Sequence, residues 1–526
     1  KPPLLQIPSS RGILSAPSIL SGRMHSAPVH SNRAQEIELK LALPTSDPAT
    51  LFAQLARTPA LARRTPMHTQ LHNIYFDTAD QRLLGQRMAL RLRRVTGEGQ
   101  GKGKIRPRWL QTLKTAGEGS SALSQRGEWE VPVPGPALSL EALRDTPWPE
   151  VDPDGSLFQA LQPCFATHFE RVTWQVRRRD RSVVEVALDR GQIIAGQAST
   201  SVCELELELL AGEPRALFEL AAQIAQHVAV LPLAQSKAER GYALARGALH
   251  QSLRAQPPRL SVKLSVPQAA QQVLGEMLNQ FCTNLNTLRS TDAPELVHQA
   301  RVGWRRFRST WRLLRTALPG QPAPSWQALQ PLLCFIGELR DLDVARAETL
   351  PRLATAYAAA DAQRAAQWAA LEQALTQAAS VQRKAVRYAL QEPSVGAALL
   401  TLTQWLHGLG AAPAAPHGVA LRPWARRRIT RLHQRLERAL QDADNPEAQH
   451  RARLLAKRLR YGIEALRPLL PKSHSRNWLA QATELQTGIG LARDLMRLGE
   501  LAQQHDAPPE VLGFLRGVVA GQALDS

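Results

Sequence analysis

The sequence is short of cysteine and of acidic side chains, and it lacks long apolar runs. Its four cysteines, Cys164, Cys203, Cys282 and Cys334, are far apart, with no CxxC pair and no histidine at zinc-ligand spacing. That excludes a disulfide framework and a zinc module, and it fits a reducing cytoplasm. There is no Walker-type phosphate loop; Gly97, Gly99, Gly101 and Gly103 read as a hairpin tip. No uninterrupted apolar run is long enough to span a membrane. Residues 394–421 carry no formal charge, but Gln404, His407, Pro413, Pro416 and His417 break the run. Hydrophobic residues at 44% and charged residues at 21% exclude wholesale disorder. The acidic deficit is the strongest signal. Against 65 Lys and Arg stand 45 Asp and Glu, a net charge of +20. Such an excess points to a polyanionic partner: nucleic acid, an acidic membrane surface or a phosphate polymer.

The charge is unevenly placed. Residues 1–250 carry 30 basic and 24 acidic side chains, net +6; residues 251–526 carry 35 and 21, net +14. The second half is therefore the better polyanion binder. Residues 1–33 are rich in Ser and Pro, lack acidic residues and read as a disordered tail. The first residue is Lys1, and Met24 offers another start. From 34 to about 210 the apolar pattern has period 2, the signature of strands; from about 266 it has period 3.6. The expected organisation is a strand-rich domain at 34–250, a linker at 251–265 around Pro257-Pro258, and a helical domain at 266–526. Helices in the first domain are expected at 48–62, 139–144, 155–162 and 213–230.

Within the strands, charge alternates with apolar residues. Glu36, Glu38 and Lys40 share one face, and Ile37, Leu39 and Leu41 the other. Glu204, Glu206 and Glu208 repeat the acidic pattern. Arg91 and Arg93 form a basic comb, Thr112 shares a face with Lys114, and Arg126, Glu128 and Glu130 share another. A solvated sheet face has no need of such like-charge pairs at i, i+2. If the sheet closes into a barrel, the apolar faces pack outward against helices and the charged faces line a tunnel. Clustered carboxylates suit hard divalent ions such as Mg²⁺ or Mn²⁺, and Arg and Lys suit phosphate oxygens.

These residues resemble the CYTH domain, the fold of the triphosphate tunnel metalloenzymes. The match begins at Glu36-Ile37-Glu38-Leu39-Lys40, the ExExK signature. It continues in order through Tyr75-Phe76-Asp77, Arg91-Leu92-Arg93, Lys114, Glu128-Trp129-Glu130, Arg171, Asp189, Glu204-Leu205-Glu206 and Ser236-Lys237 to Arg240-Gly241-Tyr242. The resemblance implies an eight-stranded antiparallel tunnel that hydrolyses a triphosphate with Mg²⁺ or Mn²⁺, two ions in all. It implies that Glu36, Glu38, Glu204 and Glu206 are catalytic metal ligands, assisted by Asp189 and by Glu128 or Glu130. It implies that Lys40, Arg91, Arg93, Lys114, Arg171 and Lys237 hold the triphosphate. Arg126, Arg177, Arg178, Arg179 and Arg240 are weaker candidates, because alternation lets only some of them face inward.

In the second half, His298, Arg301, Arg305, Arg308, Arg312 and Arg315 follow steps of 3 and 4. On a helix this is one stripe about 26 Å long. An apolar seam, Val297, Ala300, Trp304, Phe307, Trp311, Leu314 and Leu318, runs one position earlier and faces a core. The pattern recurs 152 residues later as His450, Arg453, Lys457, Arg460, Glu464 and Arg467. The segment Ile336–Leu342, with Arg340-Asp341, is echoed at Ile489–Leu495 by Arg493-Asp494. The all-α half therefore reads as a tandem duplication, about 266–407 and 419–526, hinged at 408–418. Two such bundles can bring both stripes onto one surface. Like charges at this spacing repel, so their repetition is best explained by a bound anion.

This half resembles the CHAD domain on His298-Gln299-Ala300-Arg301 and His450-Arg451-Ala452-Arg453. The resemblance implies binding of inorganic polyphosphate along the stripes, more weakly along the second, where Glu464 replaces the counterpart of Arg312. The combined expectation is a multidomain α+β and all-α protein. It cleaves tripolyphosphate to pyrophosphate and phosphate and binds polyphosphate, in the cytoplasm or on polyphosphate granules. The alternatives are a polyphosphate-binding scaffold with little turnover, or a tunnel acting on thiamine triphosphate or a nucleoside triphosphate. Nucleic acid is the third choice, and no membrane partner is expected.

Overall fold

The structure, a computed structural model, describes residues 35–44, 47, 49–98, 104–115, 117, 121–318, 320, 322–411, 420–441 and 446–524. The expected tail, the tip of the glycine hairpin at 99–103 and the 412–418 part of the expected hinge lie outside the described residues.

The first half alternates strands and short helices. The strands are β1 (Glu36–Ala42), β2 (Met67–Asp77), β3 (Met88–Glu98), β4 (Lys104–Thr115), β5 (Leu123–Arg126), β6 (Glu128–Val133), β7 (Gln162–Arg177), β8 (Val183–Ala195), β9 (Ala198–Ala211) and β10 (Leu231–Pro232). The helices are α1 (Leu51–Arg57), α2 (Arg82–Gly85), α3 (Trp148–Val151), α4 (Ser156–Gln159), α5 (Arg215–Ala225) and α6 (Lys237–Ala245). The expected helices at 48–62 and 213–230 are the shorter α1 and α5. The one at 139–144 is only a 3-10 turn at Glu141–Leu143, and the one at 155–162 is one turn, because β7 begins at Gln162. Helix α6 was not expected from the sequence. Ser236 caps it, accepting from the Glu239 backbone while the Glu239 side chain accepts from the Ser236 N–H.

The strands form one antiparallel sheet in the order β10-β1-β9-β8-β7-β2-β3-β4-β6, with β5 paired to β1. The sheet closes. Segments β5 and β6 are parted only by Gly127; β5 pairs with β1 and β6 with β4, so one run of chain joins the two edges. Counted round the ring, β5 and β6 make one wall, which gives the eight walls expected, and β10 is a two-residue addition beside β1. Alternation sorts the side chains as the sequence pattern requires. Leu39, Leu41, Leu205, Leu207, Val172, Trp174, Val184 and Val186 point outward into a core completed by α1 and α5. The inward faces carry the charged combs.

The second half is helical: α7 (Val266–Leu288), α8 (Pro294–Leu314), α9 (Gln330–Val344), a π-helical turn at Ala345–Thr349, α10 (Leu350–Ala358), α11 (Ala362–Ala389), α12 (Pro393–Ala411), α13 (Leu421–Gln441), α14 (Pro446–Leu466), α15 (Lys472–Gln504) and α16 (Pro509–Leu524). The apolar seams of α8 and α14 are buried throughout, from Val297 to Leu318 and from Ala452 to Leu470. Residues 408–411, expected in the hinge, are the last turn of α12.

The charge-free residues 394–411 on α12 have a packing explanation. Helix α12 lies between two cores: Leu399, Leu402 and Leu406 join the helical one, and Leu400 joins the core of the strand domain. At Gly396 a Cβ would come within 2.1 Å of the Val230 carbonyl oxygen, so only glycine lets α12 approach this closely. Beside it, Asn286 of α7 donates to the Pro232 carbonyl at 3.0 Å, and Arg289, just past the end of α7, to the Leu43 carbonyl at 2.8 Å. Among the described residues no helix is long and apolar enough to cross a membrane.

Candidate active site and polyanion surface

The ring interior carries a belt of ion pairs and two apolar clusters. Leu71, Val95, Leu110 and Phe169 form one; in the other, Tyr75, Phe165, Ile193 and Val202 pack against Tyr242 and Leu244 of α6. Helix α6 therefore covers the end of the ring at the second cluster. Beside these clusters the sequence-predicted residues of the tunnel are brought together in two groups.

The first group gathers β1, β3, β4, β5 and β6. Lys40 donates to Glu38 at 2.7 Å. Lys114 reaches Glu36 and Glu128, both at 3.0 Å. Arg91 lies 3.4 Å from Glu128 and 3.5 Å from Glu130, and Arg93 donates to Asn73 at 2.8 Å. Burial works against ionising Glu128 and Glu130, yet their cationic neighbours hold both carboxyls down at about 2. Both are anions at neutral pH.

The second group gathers β7, β8, β9 and α6. Arg171 grips Asp189 in bidentate fashion, at 2.7 and 2.6 Å, and also touches Glu206. Lys237 contacts Asp189 at 2.7 Å, Glu206 at 2.9 Å and Glu204. Burial opposes the charge on Glu206, but Lys237 and Arg171 keep its carboxyl well below the usual range. Asp189, Glu204 and Glu206 each offer one oxygen, all within 4.8 Å of one another. Three converging carboxylate oxygens, two from fully buried side chains, fit a hard divalent cation such as Mg²⁺ or Mn²⁺.

The weaker candidates separate. Arg126 faces inward, bonding Glu36 at 2.8 Å and Glu38 at 2.5 Å, and Arg240 bonds Glu204 at 2.7 Å. Arg178 lies outside the ring, paired with Glu219 of α5, and Arg177 and Arg179 are exposed. Glu208 shares the face of Glu204 and Glu206, but the sequence pattern gives it no role of its own. It is inward, close to Glu36, Glu185 and Glu128, and burial with those like charges pushes its carboxyl up to about 8.

On the helical domain the two stripes approach one another. Helices α8 and α14 are in contact, with Arg306 3.8 Å from Glu464. Arg301 has Arg305, Arg340 and Arg493 as electrostatic neighbours, and Lys457 has Arg453, Arg305, Arg493 and Arg460. Burial and those four cations depress the Lys457 ammonium to about 8. His298, half-buried, is held below its usual range by burial and by Arg340. Arg308 has Arg312 as an electrostatic neighbour and continues the stripe away from the cluster. Arg460 is drawn to Glu464, 3.5 Å away. His450 lies on α14, but nothing of its side chain is described. Arg340 and Arg493, flagged in the sequence only as a repeat, belong to the cluster itself.

Comparison with protein families matches residues 34–242 to the CYTH domain and residues 272–503 to the CHAD domain. An inorganic triphosphatase from Haemophilus influenzae is 33% identical over 210 residues, 40% of this chain and 55% of that protein. The chain thus spans about half the length of that curated relative. The crystal structure of the CHAD domain from Ricinus communis, 30% identical, covers 52% of this chain and 91% of its own, with a TM-score of 0.44. A putative adenylyl cyclase from Hippeastrum, described as having a dominant triphosphatase activity, is 20% identical. It covers 40% of this chain and 95% of its own, with a TM-score of 0.29. The chain joins a CYTH domain, residues 34–242, to a CHAD domain, residues 272–503.

Proposed function

We propose that the tunnel hydrolyses inorganic triphosphate to pyrophosphate and phosphate with Mg²⁺ or Mn²⁺, two ions in all. The helical domain binds inorganic polyphosphate where α8 meets α14. The observation that carries the reading is the facing of acidic and basic combs inside a closed ring. A pure anion binder gains nothing from Glu204 and Glu206 beside its ligand; a metal-assisted hydrolase needs them. The name of the Haemophilus relative supports the same substrate.

The residues divide the work by charge. Lys40, Arg91, Arg93, Lys114 and Arg126 present donors from one side of the ring, and Arg171, Lys237 and Arg240 from the other. A triphosphate entering the belt exchanges their carboxylate partners for its own oxygens and is held extended between the walls. The carboxylates released from those pairs, Asp189, Glu204 and Glu206 in one group and Glu36, Glu38 and Glu128 in the other, would hold the metal. Bound there, a divalent ion neutralises phosphoryl oxygens and lowers the pKa of water.

The deciding measurement is phosphate release by the purified chain from tripolyphosphate, thiamine triphosphate and ATP, with Mg²⁺ or Mn²⁺. Release from tripolyphosphate should dominate. No release from any of the three would sink the enzyme reading and leave a polyphosphate-binding scaffold. For the helical domain, polyphosphate should outcompete duplex DNA at equal phosphate concentration and matched salt.

A further inference from the structure

Lys237 touches all three carboxylates of the triad, whereas Arg171 touches Asp189 and Glu206, and Arg240 touches Glu204 alone. Its ammonium is 2.7 Å from Asp189 and 2.9 Å from Glu206, and the side chain is 7% exposed. A Mg²⁺ held by the same oxygens would sit about 2.1 Å from each. Two cations cannot share that point: they would overlap, and at this separation in a buried site their repulsion is large. The backbone beneath Lys237 has little freedom to withdraw. Lys237 is the first residue of α6, fixed by the Ser236–Glu239 capping box. One turn on, Gly241 lies so close to Phe165 that a Cβ would meet its ring at 2.1 Å. The helix is pinned, so only the long, flexible side chain can move, and it needs another anion to move to.

We propose that Lys237 guards the triad, so that a divalent ion loads there only together with a triphosphate whose oxygens take over the ammonium. This rests on the metal-dependent reading above. It adds an order: the tunnel accepts the metal–triphosphate complex and resists the free ion. Metal and triphosphate then raise each other's affinity by one reciprocal factor, and Lys237 supplies part of that factor.

The test uses the full chain and Mn²⁺, followed by the EPR signal of the free ion, with and without non-hydrolysable imidotriphosphate. Lys237→Met, which keeps the length and loses the charge, should bind Mn²⁺ alone at least tenfold more tightly than wild type. Lys237→Arg should stay within threefold of wild type. With imidotriphosphate the gap between Lys237→Met and wild type should close. Equal Mn²⁺ affinity of Lys237→Met and wild type would overturn the guarding role while leaving the metal-dependent reading intact. No Mn²⁺ binding by either protein with imidotriphosphate present would overturn both. Should Lys237→Met fail to fold, wild type alone decides. Millimolar Mn²⁺ should leave its melting temperature unchanged unless imidotriphosphate is added, and a rise with Mn²⁺ alone would refute the proposal.

Discussion

Glu38 and Glu208 are direct cross-strand neighbours on β1 and β9, two carboxyl groups side by side on the inner face of the ring. Glu38 has Lys40 and Arg126 as partners, whereas no hydrogen bond or ion pair of Glu208 is found among the described residues. The pair shows how the belt balances its charge: one carboxylate is neutralised by cations, and the other holds its proton.

A pH dependence of stability follows. Burial and neighbouring glutamates raise the Glu208 carboxyl from 4.5 to about 8. The folded state therefore binds a proton that the unfolded chain has already lost. Its contribution is fully present below about pH 4.5 and disappears as pH rises through about 8. Urea unfolding between pH 5 and 8.5 should show wild type weakening relative to Glu208→Gln, which has no proton to lose. Parallel curves for the two proteins would refute the assignment.

Glu204→Gln removes a charge from the triad and leaves its shape. Phosphate release from tripolyphosphate should fall about 100-fold or more, in line with the loss of one essential charged group. EDTA should abolish release by wild type, and added Mg²⁺ or Mn²⁺ should restore it. A Glu204→Gln protein retaining half of the wild-type kcat would remove this residue from the site.

Polyphosphate binding should titrate with Lys457. Crowded by burial and four cations, its ammonium begins to lose its proton near pH 8. A bound polyanion favours the charged form, so binding takes up a proton above that pH, and affinity falls as pH rises from 8 toward 10. Calorimetry across that range should show the fall in wild type and a flatter profile in Lys457→Arg. Charge reversal at Arg305, Arg305→Glu, should weaken binding at least tenfold and reduce its salt dependence.

Leu400→Ala should destabilise the tunnel domain, although the residue lies on a helix of the other half. Leu400 is 3% exposed inside the core that backs β1 and β9. Truncating such a leucine costs about 2–5 kcal/mol. The shift should appear in the urea midpoint and in a lowered temperature of activity loss. An unshifted midpoint would mean that the two cores are independent.

The inner combs were legible in the sequence because strand alternation assigns each side chain to a face without knowledge of its neighbours. Glu36, Glu38, Arg91, Arg93, Lys114, Asp189, Glu204 and Glu206 all lie inside the ring for that reason. Alternation does not say which strand lies opposite. It left Arg126 undecided, because the break at Gly127 separates its strand from β6, and it gave Glu208 no partner to lack. Lys237 and Arg240 sit on a helix, where the period-2 rule has no force. The stripes on α8 and α14 followed from helical periodicity. The joining of Arg340 and Arg493 to the cluster depends on tertiary packing, which no single-helix pattern contains. The role of α12 was hidden for the opposite reason: a helix buried on two sides loses the polar face that makes an amphipathic pattern readable.

The run from β5 to β6 leaves the ring without a seam. A linear polymer can be enclosed by a seamless ring only by threading, and threading begins at a free terminus. Among the described residues α6 covers one mouth, so entry is from the other, and a long chain cannot pass through to expose its interior bonds. On the proposed hydrolase reading, the geometry favours short chains and chain ends over internal linkages. Ligands with blocked ends, such as cyclic phosphates, should be poor substrates whatever their charge.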